Sequence, residues 1–195
     1  MLDQFLFYFE LGMNHILRIN GLDHILFLVV LIIAYTFKDW KRVLWLVTAF
    51  TIGHTLSLIL STYGAVKVNG EIVEFFVLIT IFTMALYNVF TAGKSANKTK
   101  SVILVISALF FGIIHGLAFA KDFKFITNDI NDKLLPLLEF TLGIEAAQII
   151  IVVVVLIISF IFQTIFRFSK RDWVMVVSAI VIGVLIPLLI KARFW

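Results

Sequence analysis

The sequence predicts an all-α fold: a polytopic membrane helical bundle of about six transmembrane helices preceded by a short amphipathic N-terminal helix. Three observations carry this. Hydrophobic residues make up 62% of the chain and charged residues 14%, against about half and about a quarter in a soluble domain. The mean hydropathy is +1.11. The apolar excess is concentrated in stretches of about 20 residues, the length that crosses a hydrocarbon core. The whole chain, 1–195, reads as one membrane domain. It has no cysteine, which excludes disulfides and thiolate ligands. The formal charge of +4 is modest and fits lysines flanking helices, so no nucleic-acid partner is expected. Residues 1–19 lack the basic start and small-residue cleavage site of a signal peptide.

Within 1–19, Leu2, Phe5, Leu6, Phe9, Met13, Ile16 and Leu17 recur near helical spacing. Asp3, Glu10, Asn14 and Arg18 interrupt them too often for a span, which predicts a helix at the interface or tucked partly into the bundle. Asn20-Gly21 breaks it. Spans are then expected over about 22–37, ended by Lys38-Asp39, and about 42–62. The third covers about 72–92, the fourth about 101–120, the fifth about 134–162 and the sixth about 173–190. A polar linker, 93–100, joins the third to the fourth, and 121–133 reads as a loop alternating charge and aromatics. Trp40, Trp45, Trp173 and Trp195 read as interfacial anchors.

With six crossings, the face holding the N-terminal helix carries Arg18, Lys67, Lys121, Lys124, Lys133, Lys191 and Arg193, seven basic residues against nine on the other. The positive-inside rule then places the first face outside. The expected location is an integral membrane protein of a bacterial inner (plasma) membrane, in contact with lipid; homo-oligomerisation is left open.

The polar residues inside these spans share one half of the membrane. Asp23 and His24 open the first span. His54 lies about twelve residues into a span that returns toward the same face, roughly 18 Å along at 1.5 Å per residue. His115 is about fourteen residues into the fourth span, and Glu145 about eleven into the fifth, nearer the midplane. Thr51 and Ser57 extend a polar stripe around His54, and Thr141 and Gln148 do so around Glu145. Lipid would not hydrate such stripes, so they should face the bundle interior. Glu74 and Glu139 lie near helix ends, where a solvated carboxylate or helix-dipole partner is the expected role. Asn88 is expected to join helices.

Imidazoles with carboxylates suit nickel, cobalt, zinc or copper(II). The candidate metal residues are His24, His54, His115, Asp23, Glu145 and His15. His15 is as well placed to be an interfacial histidine as a ligand, and it reaches His24 only if Gly21 permits a turn.

Four blocks then resemble a known family. Gly21-Leu22-Asp23-His24-Ile25-Leu26-Phe27-Leu28, Thr48-Ala49-Phe50-Thr51-Ile52-Gly53-His54-Thr55-Leu56-Ser57-Leu58, Phe111-Gly112-Ile113-Ile114-His115-Gly116-Leu117-Ala118-Phe119-Ala120 and Leu142-Gly143-Ile144-Glu145-Ala146-Ala147-Gln148 look like successive signatures of the HupE/UreJ family, particularly its second branch. The resemblance implies a small permease for nickel or cobalt, linked to hydrogenase and urease maturation. It matches His15, Asp23 and His24 to a first motif, His115 to a second and Glu145 to a later carboxylate, with His54 belonging to the second branch. The spacing from His15 to Asp23 is wider than in the nickel-permease branch, and no Glu closely follows His115-Gly116.

Two activities fit the residues. One is a permease or binding protein for a divalent transition-metal ion. The other is an intramembrane zinc-dependent hydrolase of lipid or membrane peptide, with Glu145 or Asp23 as base. A metal sensor or accessory protein without turnover is a third.

Overall fold

The computed structural model describes residues 2–18, 22–93 and 98–192. Gly21, Arg193, Trp195 and much of the 93–100 linker lie outside them. The described residues form helices joined by turns and short loops, with no strand among them. Helix α1 is Leu2–Leu17, α2 Asp23–Ile32, α3 Trp40–Thr62, α4 Gly70–Thr91, α5 Lys98–Ile126, α6 Leu134–Phe160 and α7 Lys170–Lys191. Five helical stretches are long and apolar enough to cross a membrane: Phe37–Thr62, Gly70–Thr91, Val102–Ile126, Leu134–Ile165 and Lys170–Lys191. The protein is an integral membrane protein whose exposed Val102, Ile106, Phe110, Val154 and Ile180 meet lipid.

The apolar run 22–37 does not form a full-length helix. Its helix, α2, has 10 residues, about 15 Å at 1.5 Å per residue, half of a hydrocarbon core. A helix ending inside a bundle exposes carbonyls that water cannot reach. Asn88 of α4 answers this: its side-chain amide donates to the Val30 carbonyl oxygen at 2.6 Å, and the residue is buried. The chain then turns at Thr36, whose amide and hydroxyl both donate to the Asp39 carboxylate (3.1 and 2.9 Å), and α3 begins at Trp40.

Two other helices differ from the sequence reading. α5 runs on through 121–126, because Phe123 repeats the inward face of Phe119 one turn later and is fully buried. The Thr127 hydroxyl closes it by donating to the Phe123 carbonyl. α6 is prolonged by a π-helical turn, Ile161–Ile165. Its end is fixed by the Trp173 indole, which donates to Ser159 at 3.0 Å and stacks on Phe162. Trp173 is thus a buried packing residue as well as one near a helix end.

Small residues set which helices touch. α3 lies along α5, and α1 along α6. A Cβ added at Gly12 would overlap the Phe140 carbonyl, and one at Gly143 the Phe9 carbonyl, so α1 and α6 meet backbone to backbone. Tyr8, Gly12 and Ile16, one turn apart, form the buried face of α1, while Leu2, Leu6 and Phe7 stay exposed. α1 is therefore docked into the bundle by that one face.

Asn88→Leu keeps the volume but leaves the Val30 carbonyl without a donor. It should cost about 1–3 kcal/mol, read as a lower thermal unfolding midpoint in detergent. Gly12→Val should cost about as much through overpacking. Gly183→Ala, where an added Cβ meets nothing within 4 Å, should not lower the midpoint.

Candidate metal centre

The centre is assembled by the same close contacts. Added Cβ atoms at Gly53, Gly112 and Gly116 would overlap the carbonyl oxygens of Leu109, Phe50 and His54 respectively. α3 and α5 therefore cross with their backbones touching, beside His54 and His115. The Ser57 hydroxyl is spent on the His54 carbonyl at 3.0 Å. From the other side, α2 presents His24 as its second residue, and α1, held on α6, presents His15 near its end.

The four histidines meet. Ring centroids are 4.7 Å apart for His15–His24, 5.7 Å for His15–His54, 5.9 Å for His24–His54 and 5.3 Å for His24–His115. His15, His24 and His54 each offer a ring nitrogen such that all three lie within 4.8 Å of one another. Bonds of 2.0–2.1 Å about a tetrahedral ion require ligand atoms about 3.3 Å apart, so an ion would need the rings drawn closer together than this. His24 is 3% exposed and His54 and His115 are fully buried. His15 is half-buried, and its contact with His24 makes it part of the cluster.

The hydrogen-bond inventory is unusual. His115 Nδ1 lies 2.8 Å from the Phe111 carbonyl oxygen, so that nitrogen carries the proton and Nε2 keeps a free lone pair. Asp23 Oδ2 is 3.5 Å from His24 Nδ1. A carboxylate there favours the tautomer that frees His24 Nε2. Five buried imidazole nitrogens have no partner: Nε2 of His15, His24, His54 and His115, and Nδ1 of His54. Buried polar atoms are normally paired. A neutral imidazole carries one N–H and one lone pair, so the five include at least one N–H, on His54, and the others can offer the lone pairs that suit a transition metal.

A cavity of about 530 Å³ opens on the cluster, lined by His15, Asp23, His24 and His115 with Glu74, Asp122, Arg18 and Lys191. Glu74, expected only as a helix-end carboxylate, lines this cavity, and Asp122 joins it because α5 continues past residue 120. On another side the cluster is closed by aromatic rings. Phe27 and Phe50, both fully buried, stack at 4.7 Å, and each lies 5.1 Å from the His115 ring. Phe119 lies 4.0 Å from the His15 ring.

Glu145 is placed differently. Its Oε1 accepts from the Thr48 hydroxyl at 2.7 Å and its Oε2 from the Thr51 hydroxyl. Thr51 and Thr48 precede His54 by three and six residues on α3, about 4.5 and 9 Å along the helix. Thr48 was not singled out by the sequence, although its i−3 spacing from Thr51 puts both on one face. Glu139, expected as a solvated carboxylate or a helix-dipole partner, is not solvated: it is 7% exposed near the start of α6, and its Oε2 has no partner.

The chain matches the family described as HupE / UreJ protein over residues 1–193 and belongs to that family. No curated protein and no solved structure matches it.

This geometry makes His54→Ala damaging to ion binding more than to stability. Because no hydrogen bond is lost, the stability cost should be confined to the cavity term, a few kcal/mol at most. Binding of nickel, measured by titration calorimetry in detergent, should weaken by about tenfold or more.

Proposed function

We propose that this HupE/UreJ-family member is a permease for a divalent transition-metal ion, nickel or cobalt, in a bacterial inner membrane with its histidine pocket toward the outer face. One observation supports this above the rest: ring nitrogens of His15, His24 and His54, one from each, lie within 4.8 Å of one another, beside a cavity that His15, His24 and His115 line. Imidazole discriminates against magnesium and calcium, which prefer oxygen, and suits nickel and cobalt. The absence of cysteine from the chain removes the thiolates that would favour copper(I).

The cargo ion enters the cavity as a hydrated dication. Asp23, Glu74 and Asp122 outnumber Arg18 and Lys191 on the cavity wall, and a cleft with an excess of acids raises the local cation concentration. His24, His54 and His15 then replace coordinated water, with His115 beside them. Asp23 holds the His24 ring in its donor tautomer and raises its basicity. The stacked Phe27 and Phe50 next to the cluster make it a one-sided pocket rather than an open pore, so release on the far side requires a change of conformation, as in other transporters with a buried site. The orientation is supported by nine basic residues against seven on the two sets of loops, when 22–39 is counted as a crossing of which α2 forms part.

Purified protein in liposomes should take up labelled nickel or cobalt saturably. His54→Ala and His115→Ala should each reduce uptake at low ion concentration about tenfold or more. Uptake by both variants at the wild-type rate would remove the proposal. Asp23→Asn keeps the ring contacts but loses the charge beside His24, and should weaken ion binding by about 10–100-fold.

A further inference from the structure

The histidine pocket leaves Glu145 unexplained. This carboxylate lies midway along α6, in contact with α3. Among the described residues the one ion pair is Asp23 with His24, so no basic side chain neutralises Glu145. A carboxylate inside a membrane domain without a cationic partner is costly and marks an ion path more often than a packing role.

Its surroundings are oxygen-rich and short of protons. The Thr51 hydroxyl has three oxygen neighbours: Glu145 Oε2, Gln148 Oε1 at 2.8 Å and the Val47 carbonyl at 3.2 Å. One hydroxyl proton cannot satisfy three acceptors. Gln148 is fully buried, and with its amide turned over its Nε2 would donate to the Thr51 hydroxyl oxygen. A further pair, the Thr55 and Thr141 hydroxyls at 3.1 Å, links α3 to α6 one turn nearer the pocket. Thr55 follows His54 directly. From Thr55 through Thr51 to Thr48 the file runs about 10 Å along α3, beginning at the residue next to His54.

We infer that this α3–α6 seam is the route by which the ion leaves the histidine pocket, with Glu145 as its first acceptor beyond the imidazoles. The inference rests on the permease reading and names the path that reading lacks. The ligand is the same divalent transition-metal ion, passed from nitrogen to oxygen donors. Hydroxyl, carboxylate and amide oxygens bind nickel or cobalt less tightly than a cluster of imidazoles. A weaker downstream station is what allows an ion to move on rather than stay trapped.

The test separates binding from movement. Nickel binding is measured by titration calorimetry and nickel uptake in liposomes, for wild type, Glu145→Gln, Thr51→Val and Thr48→Val. Glu145→Gln should bind nickel within about threefold of wild type and transport about tenfold or more slowly, an interaction lost in passage and not in capture. Thr51→Val, nearly isosteric, should slow uptake several-fold with binding unchanged, and it carries the test if Glu145→Gln does not fold. Wild-type uptake by both variants would overturn the route. Binding lost in parallel with uptake in Glu145→Gln would also overturn it, because Glu145 would then belong to the pocket. Failure of the permease reading has a different signature: no saturable uptake by the wild-type protein at all.

Discussion

Five imidazole nitrogens buried without hydrogen-bond partners are the constraint on which the rest of this structure depends. Each unpaired buried polar atom costs about 1–3 kcal/mol, so four histidines gathered in this way oppose folding. Apolar residues of similar size would pack the same volume at less cost. What the arrangement provides is a set of lone pairs directed at a common space, with His115 Nδ1 tied back to the Phe111 carbonyl and Asp23 beside His24 to hold the rings in place. On the permease reading proposed above, that is a binding site prepared before its ligand arrives, its cost recovered when an ion binds.

The helices are arranged to bear that cost. α3 and α5 touch through Gly53, Gly112 and Gly116, and α1 and α6 through Gly12 and Gly143. Lipid gives helices no hydrophobic reason to associate, so close backbone contact and dispersion must hold them. The first set carries His54 and His115, and the second carries His15. α2 is short, so its N-terminus with Asp23 and His24 reaches the cluster while its C-terminus ends inside the bundle on Asn88. Packing and site are thus one construction: the contacts that seat the helices also set the distances between the rings.

Much of this was legible in the chain. Apolar runs separated by polar breaks gave the helices, and the ionisable residues within them gave the histidines and Asp23. The limits were physical. The run 22–37 is apolar throughout, and hydropathy cannot show where a helix stops inside it; the stop is set by Asn88, some sixty positions away. Phe123 could not be told from a loop aromatic until its burial against Phe140 and Phe119 was seen. The stripes around His54 and Glu145 were visible as two separate features. Their joining through Thr48 and Thr51 is a long-range contact between α3 and α6, which periodicity within one helix does not contain. Asp122 entered the cavity only because α5 outran its expected end.

X-ray absorption at the nickel K edge, on protein loaded with one equivalent of nickel, reads the donor atoms themselves. A histidine pocket predicts a nitrogen-dominated first shell with the outer-shell scattering of at least two imidazoles, reduced in His54→Ala. A shell of oxygen alone, unchanged by that substitution, would contradict it.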